Sequence, residues 1–315
     1  MLRRLVLTFA ILALLASAAW TQTPVSERRI FAVSVLDSSG KPLEGLRVAD
    51  FRGEYRGQPV TVLSVTPDTT PRHIAVVVDT SASMETRVTW SLGWDVALDL
   101  IHYLGPHSEL AFFTVGMGLE KHVDFTRDDE GLREVFGEVS RNVYPRGGSA
   151  LYDGLELATR EFSPLNPGGV IYLISDVIDT GSSLSLAETE EALVRAGVRV
   201  FLVRLPSNKA ALAPGLPRTR TRLEPVRGER AARRLTEATG GMKVELPRWL
   251  TDRVVLAQLV RKLYQPIDHS YQVEVEFPRS IDKRRQWTLE VVDAEGKRRK
   301  DVQVLYPRLL VPGAE

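Results

Sequence analysis

Hydrophobic and polar positions fall into three regimes along the chain. The first contains Ile30-Phe31-Ala32-Val33-Ser34-Val35-Leu36 and Val60-Thr61-Val62-Leu63-Ser64-Val65, each with the make-up of a strand. Asp37-Ser38-Ser39-Gly40-Lys41-Pro42 between them has the composition of a turn. So small a β piece needs a partner sheet. Thr66-Pro67-Asp68-Thr69-Thr70-Pro71 reads as a linker and marks a boundary.

The middle regime alternates strands with helices. Ile74–Val78 and Val170–Ile174 are unbroken apolar runs, as expected of strands covered on both faces. Leu110–Val115, Lys121–Thr126, Val198–Leu205 and Lys243–Leu246 supply further strands. Trp90, Trp94, Ala97, Leu98, Ile101 and Leu104 recur at helical spacing. Asp128–Val139, Leu151–Phe162, Ala187–Ala196, Arg230–Thr239 and Trp249–Tyr264 read as further helices, and Trp90, Trp94 and Trp249 are assigned to their buried stripes. This succession predicts an α/β fold with a doubly wound, mainly parallel sheet. After Pro266 the alternation of strands returns in Tyr271–Phe277, Gln286–Val292 and Lys300–Tyr306. The expected organisation is a β module over residues 28–66, an α/β domain over 72–264 and a β module over 267–308. The two flanking β modules could close into one small β-sandwich.

Composition narrows the classes. A length of 315 residues fits about two domains. The absence of cysteine excludes disulfides, thiolate metal sites and cysteine nucleophiles. A net charge of +1 gives no global attraction to nucleic acid or membrane. Arg3 and Arg4, the apolar run Leu5–Leu15 and the small-x-small site Ala16-Ser17-Ala18 have the three parts of a secretory signal peptide, assigned to residues 1–20. The apolar run is short for a spanning helix. The expectation is an exported chain, periplasmic or extracellular, with no membrane span after cleavage. Seven arginines lie between Arg218 and Arg234. Without interleaved aromatic residues for base stacking, they read as a solvated loop feeding a helix rather than a nucleic-acid patch.

Candidate chemistry sits just beyond the first buried strand, in Asp79-Thr80-Ser81-Ala82-Ser83. Loops at the carboxyl ends of strands in a doubly wound sheet are where ligands bind. A carboxylate and two hydroxyls are hard oxygen donors that suit Mg²⁺ first, and also Mn²⁺ or Ca²⁺. Ser149, after Gly147-Gly148, could add a hydroxyl, and Asp176, at the end of the second buried strand, a carboxylate.

In this order and at these strand ends, the three motifs resemble the von Willebrand factor type A domain with its metal-ion-dependent adhesion site. The resemblance spans roughly residues 72–264. It implies that Asp79, Ser81, Ser83, Ser149 and Asp176 hold one divalent cation, and that a partner protein completes the shell with an Asp or Glu. The flanking segments Asp37–Lys41, Val48-Ala49-Asp50-Phe51 and Gly57-Gln58-Pro59 resemble the exported bacterial "VWFA-related" group described from acidobacteria. Three positions depart from the family pattern. Ala82 replaces a Gly, Ser149 replaces a Thr, and Val177 follows Asp176 where a Gly is usual. A β-branched residue resists positive φ, so the loop after Asp176 is expected to differ.

Enzyme signatures are missing. Gly-x-Ser-x-Gly, the phosphate-binding loop and Gly-x-Gly-x-x-Gly are all absent. None of His73, His102, His107, His122 and His269 is placed by a motif. The reading is a protein-interaction module and not an enzyme, with no nucleic-acid partner. The rival is a metal-independent scaffold of an envelope assembly that binds through β edges or the Arg218–Arg234 loop.

Overall fold

The computed structural model describes residues 26–102, 108–162, 168–206, 218–247, 249–250 and 252–313. The residues of the signal-peptide expectation and His107 lie outside these. The chain begins with strands β1 (Glu27–Asp37), β2 (Phe51–Tyr55) and β3 (Gln58–Pro67). It enters an α/β unit through β4 (Arg72–Asp79) and α1 (Arg87–His102), then β5 (Ser108–Val115), β6 (Leu119–Thr126), α2 (Asp129–Asn142) and α3 (Leu151–Thr159). The unit continues with β7 (Val170–Ser175), α4 (Leu186–Arg195), β8 (Arg199–Arg204), α5 (Arg218–Thr239), β9 (Lys243–Glu245) and α6 (Arg253–Asp268). The chain closes with β10 (Tyr271–Phe277), β11 (Arg285–Gln286), β12 (Thr288–Val291), β13 (Val302–Leu305) and β14 (Leu309–Leu310).

The α/β sheet runs β6-β5-β4-β7-β8-β9, with every pair parallel except β5 and β6. Its two faces carry separate cores. Ile74, Val76 and Val78 face Trp94, Phe112 and Leu263, while Ala75 and Val77 face Leu151, Leu155 and Leu235. A strand packed on both faces needs apolar residues at every position, which explains the unbroken run 74–78. Chain order reverses between β4 and β7, so these neighbours are the topological switch point.

The flanking β segments join in one sheet, ordered β12-β2-β3-β10-β1-β13. β10 lies between β3 and β1, antiparallel to both, so strands from either side of the α/β unit interleave. One core of Phe31, Tyr55, Val273, Phe277, Trp287 and Tyr306 fills its inner face. β2 lacks a strong hydrophobic signature because Gly53 occupies its centre. A Cβ there would lie 2.7 Å from Val60 Cγ2 and 2.8 Å from the Thr288 carbonyl oxygen, so only glycine lets β12 and β3 flank it.

Two sequence expectations are corrected. Trp249 is 76% exposed instead of belonging to a buried stripe. The last helix begins at Arg253, where the Asp252 carboxylate caps the Val254 and Val255 amides, so Trp249 precedes it. The arginine-rich segment is helix from Arg218 onward, not a loop; Pro225 and Gly228, which disfavour helix, lie inside α5.

Polar contacts tie the two units together. Arg199 is buried at the start of β8 and donates to the Gly240 carbonyl at 3.0 and 2.8 Å and to Ser34 Oγ in β1 at 3.1 Å. Burial and the charge of Arg72 push its guanidinium down to about 9. Glu190 of α4, 1% exposed, is paired with Arg234 of α5 and with Arg284 from the β unit. In the segment before β4, Asp68 Oδ2 lies 2.7 Å from Arg72 Nη2, and Asp68 Oδ1 accepts from Thr70 Oγ1 at 2.5 Å and Gln272 Nε2 at 3.1 Å. Arg72 also donates to Ser270 Oγ at 2.8 Å. Burial raises the Asp68 carboxyl, but the Thr70 hydroxyl and Arg72 outweigh it and leave the group below its ordinary value.

A carboxyl depressed in the folded state contributes stability above its unfolded pKa of about 3.9 and loses it as pH falls through the folded value. Removing one partner of a buried pair costs roughly 3–5 kcal/mol. Asp68→Asn is therefore expected to lower stability by about that amount at pH 7, and by clearly less at pH 3. Urea unfolding at the two pH values measures this, and an equal loss at both would contradict it.

Candidate metal centre

The carboxyl edge of the α/β sheet assembles the five residues singled out above. Asp79 is the last residue of β4, and Asp176 follows the last residue of β7. Because β4 and β7 pair in register, Val78 opposite Ile174, their ends stand together at the switch point. Ser81 and Ser83 belong to the turn beyond β4, where Ala82–Met84 form one turn of 3₁₀ helix. The Asp79 carboxylate starts that turn by accepting the Ser81 amide at 2.9 Å, and the Ser81 and Ser83 hydroxyls lie 3.1 Å apart. All five residues are buried.

Ser149 arrives from a separate loop that is locked on three sides. The Gly147 carbonyl accepts from the Ala82 amide at 3.1 Å, and the Ala150 amide donates to the Gly116 carbonyl at 2.7 Å. The Ser149 amide donates to Thr180 Oγ1 at 2.9 Å, and its carbonyl accepts from the Thr180 and Gly181 amides. Gly148 permits the close approach, since a Cβ there would lie 2.8 Å from Thr180 Oγ1 and 3.0 Å from Met117 Sδ. Three loops thus converge through main-chain bonds on the ends of β4 and β7.

Ser175 is a member the sequence reading missed. Fully buried at the end of β7, it donates from Oγ to Asp79 Oδ2 at 2.5 Å and accepts from the Val177 amide at 2.8 Å. It fixes the Asp79 carboxylate across the strand seam. Its position directly before Asp176 was the available signal, but a serine at a strand end has too many other uses to be singled out.

Electrostatics explains what such a cluster requires. Burial, foremost, raises both carboxyl groups; for Asp79 the Ser175 and Ser81 hydroxyls work against it. Asp176 is pushed up to about 7, by burial and then by the charge of Asp79. Asp176 Oδ2 and Ser149 Oγ are buried with no hydrogen-bond partner among the described residues. A buried acceptor left unpaired costs about 1–3 kcal/mol. Two repelling carboxylates, a cluster of hydroxyls and two orphaned oxygens form a donor set that a hard divalent cation fits. The described residues contain no cluster of three or more His, Asp or Glu suited to a metal, so any cation held here depends on hydroxyls.

The loop after Asp176 departs from expectation. Val177 adopts φ +61°, the left-handed conformation that a glycine would take there, and is 1% exposed in the core. The β-branched side chain is accommodated in this conformation. The Val177 amide is held by Ser175 Oγ, and Gly228 of α5 packs so closely that a Cβ would lie 2.9 Å from the Asp176 carbonyl oxygen and 3.1 Å from that of Val177. Left-handed backbone costs an L-residue roughly 1–2 kcal/mol, stored beside the candidate site. Val177→Ala loses buried apolar surface and keeps that strain, whereas Val177→Gly loses about one more methyl group's worth, ~0.8 kcal/mol, and releases it. The glycine variant is expected to be at least as stable as the alanine variant, reversing the usual order for a buried valine. Equilibrium unfolding of the pair decides the point, and a glycine variant clearly less stable than the alanine one would show that the backbone is unstrained.

Comparison with known proteins follows the same lines. The family profile described as "VWA domain containing CoxE-like protein" matches residues 54–237, more than half of the chain. No curated protein matches. Among solved structures, a von Willebrand factor type A protein from Catenulispora acidiphila is similar at 12% identity and a TM-score of 0.49, over 94% of this chain and 76% of that one. An aerotolerance-related membrane protein from Bacteroides fragilis is similar at 13% identity and a TM-score of 0.48, over 62% of this chain and 98% of that one. BatB from Bacteroides thetaiotaomicron is similar at 14% identity and a TM-score of 0.45, over 61% and 98%. With its doubly wound sheet and a family match over most of the α/β unit, the chain belongs to the VWA domain containing CoxE-like protein family.

Proposed function

We propose that this VWA protein is an exported interaction module that binds a partner's Asp or Glu through a divalent cation held by Asp79, Ser81, Ser83, Ser149 and Asp176. The observation that carries the reading is the pair of orphaned buried oxygens, Ser149 Oγ and Asp176 Oδ2, beside two mutually repelling carboxylates. The family's VWA domain supports the interaction role. A bound cation would supply an electrophile for a carboxylate, Mg²⁺ being the best match to hydroxyl and carboxylate oxygens. The chain's part is to hold the donors in place: Ser175 fixes Asp79, the Asp79 carboxylate shapes the serine turn, and Thr180 anchors the loop of Ser149.

Surface chemistry near the site supports docking. Met117, beside Gly148, and Val226, two residues before the close contact of Gly228 with the Asp176 loop, are exposed apolar side chains. Exposed apolar groups around a polar centre suit a protein contact. The hydroxyl-rich donor set supports binding over hydrolysis, which needs a metal-activated water and a nearby base. Export is supported by the N-terminal sequence alone, through Arg3, Arg4, Leu5–Leu15 and Ala16-Ser17-Ala18. No described helix is long and apolar enough to cross a membrane.

Thermal unfolding in EDTA and then in Mg²⁺, Mn²⁺ or Ca²⁺ tests the reading. A cation at about 100 times its Kd adds ~2.7 kcal/mol, a rise of several degrees for a chain of this size. Asp176→Asn removes the charge repulsion within the buried pair. It is expected to melt above wild type in EDTA and to lose the response to cation. A wild type unmoved by millimolar cation would refute the metal centre.

A further inference from the structure

A single side chain stands in a glycine dip beside the candidate metal centre. Met117 occupies the turn between β5 and β6, 63% exposed, with Gly116 and Gly118 on either side of it in the chain. Against it lie Gly147 and Gly148, in the loop that carries Ser149, and Gly181, in the segment that follows Asp176. A Cβ built on Gly147 would lie 3.8 Å from Met117 Cγ, one on Gly148 3.0 Å from Sδ, and one on Gly181 3.0 Å from Cε and 3.2 Å from Sδ. The thioether therefore lies on main chain, packed on one side and open on the other. Gly181 also donates its amide to the Ser149 carbonyl at 2.8 Å, so Met117 rests against the loop that brings Ser149 to the site.

One exposed apolar side chain needs no ligand, since such residues are scattered over most surfaces. What lies under Met117 sets it apart. Among Gly147, Gly148 and Gly181, only Gly147 takes a positive φ, +69°, so the backbone does not ask for glycine at 148 or 181. Gly148 makes room for Thr180 Oγ1 as well as for the thioether, but the nearest atoms to a Cβ on Gly181 belong to Met117. The glycines keep the floor low, and residues 116, 118, 147, 148 and 181 place no side chain between Met117 and an incoming group. Methionine is flexible and polarizable and shapes itself to different apolar groups. Met84, by contrast, is 1% exposed, and Met242 is half-buried.

We infer that Met117 is a specificity-determining residue of the candidate metal centre: it receives the apolar side chain that adjoins the partner's coordinating carboxylate. The inference rests on the cation reading proposed above and names the partner more closely, as a segment in which Asp or Glu stands next to a residue such as Leu. Consecutive Cα atoms are about 3.8 Å apart, so the residue beside the coordinating one reaches the next loop of the rim. The carboxylate supplies the polar anchor, and burial of its apolar neighbour against the thioether discriminates among carboxylates. A partner with Gly or a charged residue in that place forgoes the second contact.

The test uses the full chain with ¹³C-labelled methionine methyl groups and three end-capped tripeptides, Gly-Asp-Gly as the parent and Leu-Asp-Gly and Gly-Asp-Leu as its leucine forms. Each is titrated in Mg²⁺ and in EDTA. The parent should bind in Mg²⁺ and not in EDTA. In Mg²⁺ at least one leucine form should bind about fivefold tighter than the parent, the worth of partly burying one leucine. That form should move the methyl signal of Met117 and leave that of Met84 in place. Met117→Ala and Met117→Gln should cut the ratio of the two affinities to below about twofold, and Met117→Leu should keep it. Leucine forms that bind no tighter than the parent would overturn the inference and leave the cation reading standing. A ratio that survives Met117→Ala would put the apolar contact elsewhere on the rim, as at Val226, and overturn it too. Equal binding in EDTA, or none of any peptide in Mg²⁺, would remove the cation-borne carboxylate contact and this inference with it.

Discussion

Adjacent parallel strands that carry the chain away in opposite directions leave a gap between their ends, and everything at the candidate centre depends on it. β4 ends in Asp79 and β7 ends beside Asp176, so two carboxylates are brought together by main-chain pairing that their own charges oppose. The fold can impose this because the strands are gripped by apolar cores on both faces, from Ile74 to Val78 and from Val170 to Ile174. The short bond from Ser175 to Asp79 then fixes the acid that the rest of the turn is built on. Core packing holds the strands, the strands hold the carboxylates, and the carboxylates hold the loop that presents Ser81 and Ser83.

The same logic accounts for the strain at Val177. Gly228 packs closely against the carbonyl oxygens of Asp176 and Val177, and between them the backbone takes a positive φ that valine disfavours. Burial of the valine side chain against the Leu151 and Leu235 core offsets part of what the left-handed conformation costs. Local preference disfavours this φ, and tertiary packing outweighs it.

How far the fold could be read from the sequence follows from how local each signal was. The doubly wound sheet was legible because unbroken apolar strands and helical stripes are short-range patterns. Asp79, Ser81 and Ser83 were legible because they share one turn. Ser175 was not, because its partner lies 96 residues away and no spacing rule links them. Trp249 was misplaced because the apolar period of α6 continues backward past the Asp252 cap, which carries the real boundary. The arginine segment was expected to be a solvated loop feeding a helix, yet α5 takes in all of it, including Pro225 and Gly228. The joining of the two β segments was open in the sequence, since pairing such as Glu27 with Phe277 leaves no local mark.

That pairing has a mechanical side. The chain leaves the β sheet through β3 and re-enters it through β10, and these two strands are hydrogen-bonded to each other. The VWA unit is therefore a loop clipped at its base. A pull along the chain from either flank is borne first by the ladders of β1, β10 and β13, which lie outside the VWA unit. Until those ladders shear, tension does not reach the ends of β4 and β7. Tension between the two flanks is therefore shunted across the base of the unit and bypasses the sheet that it encloses.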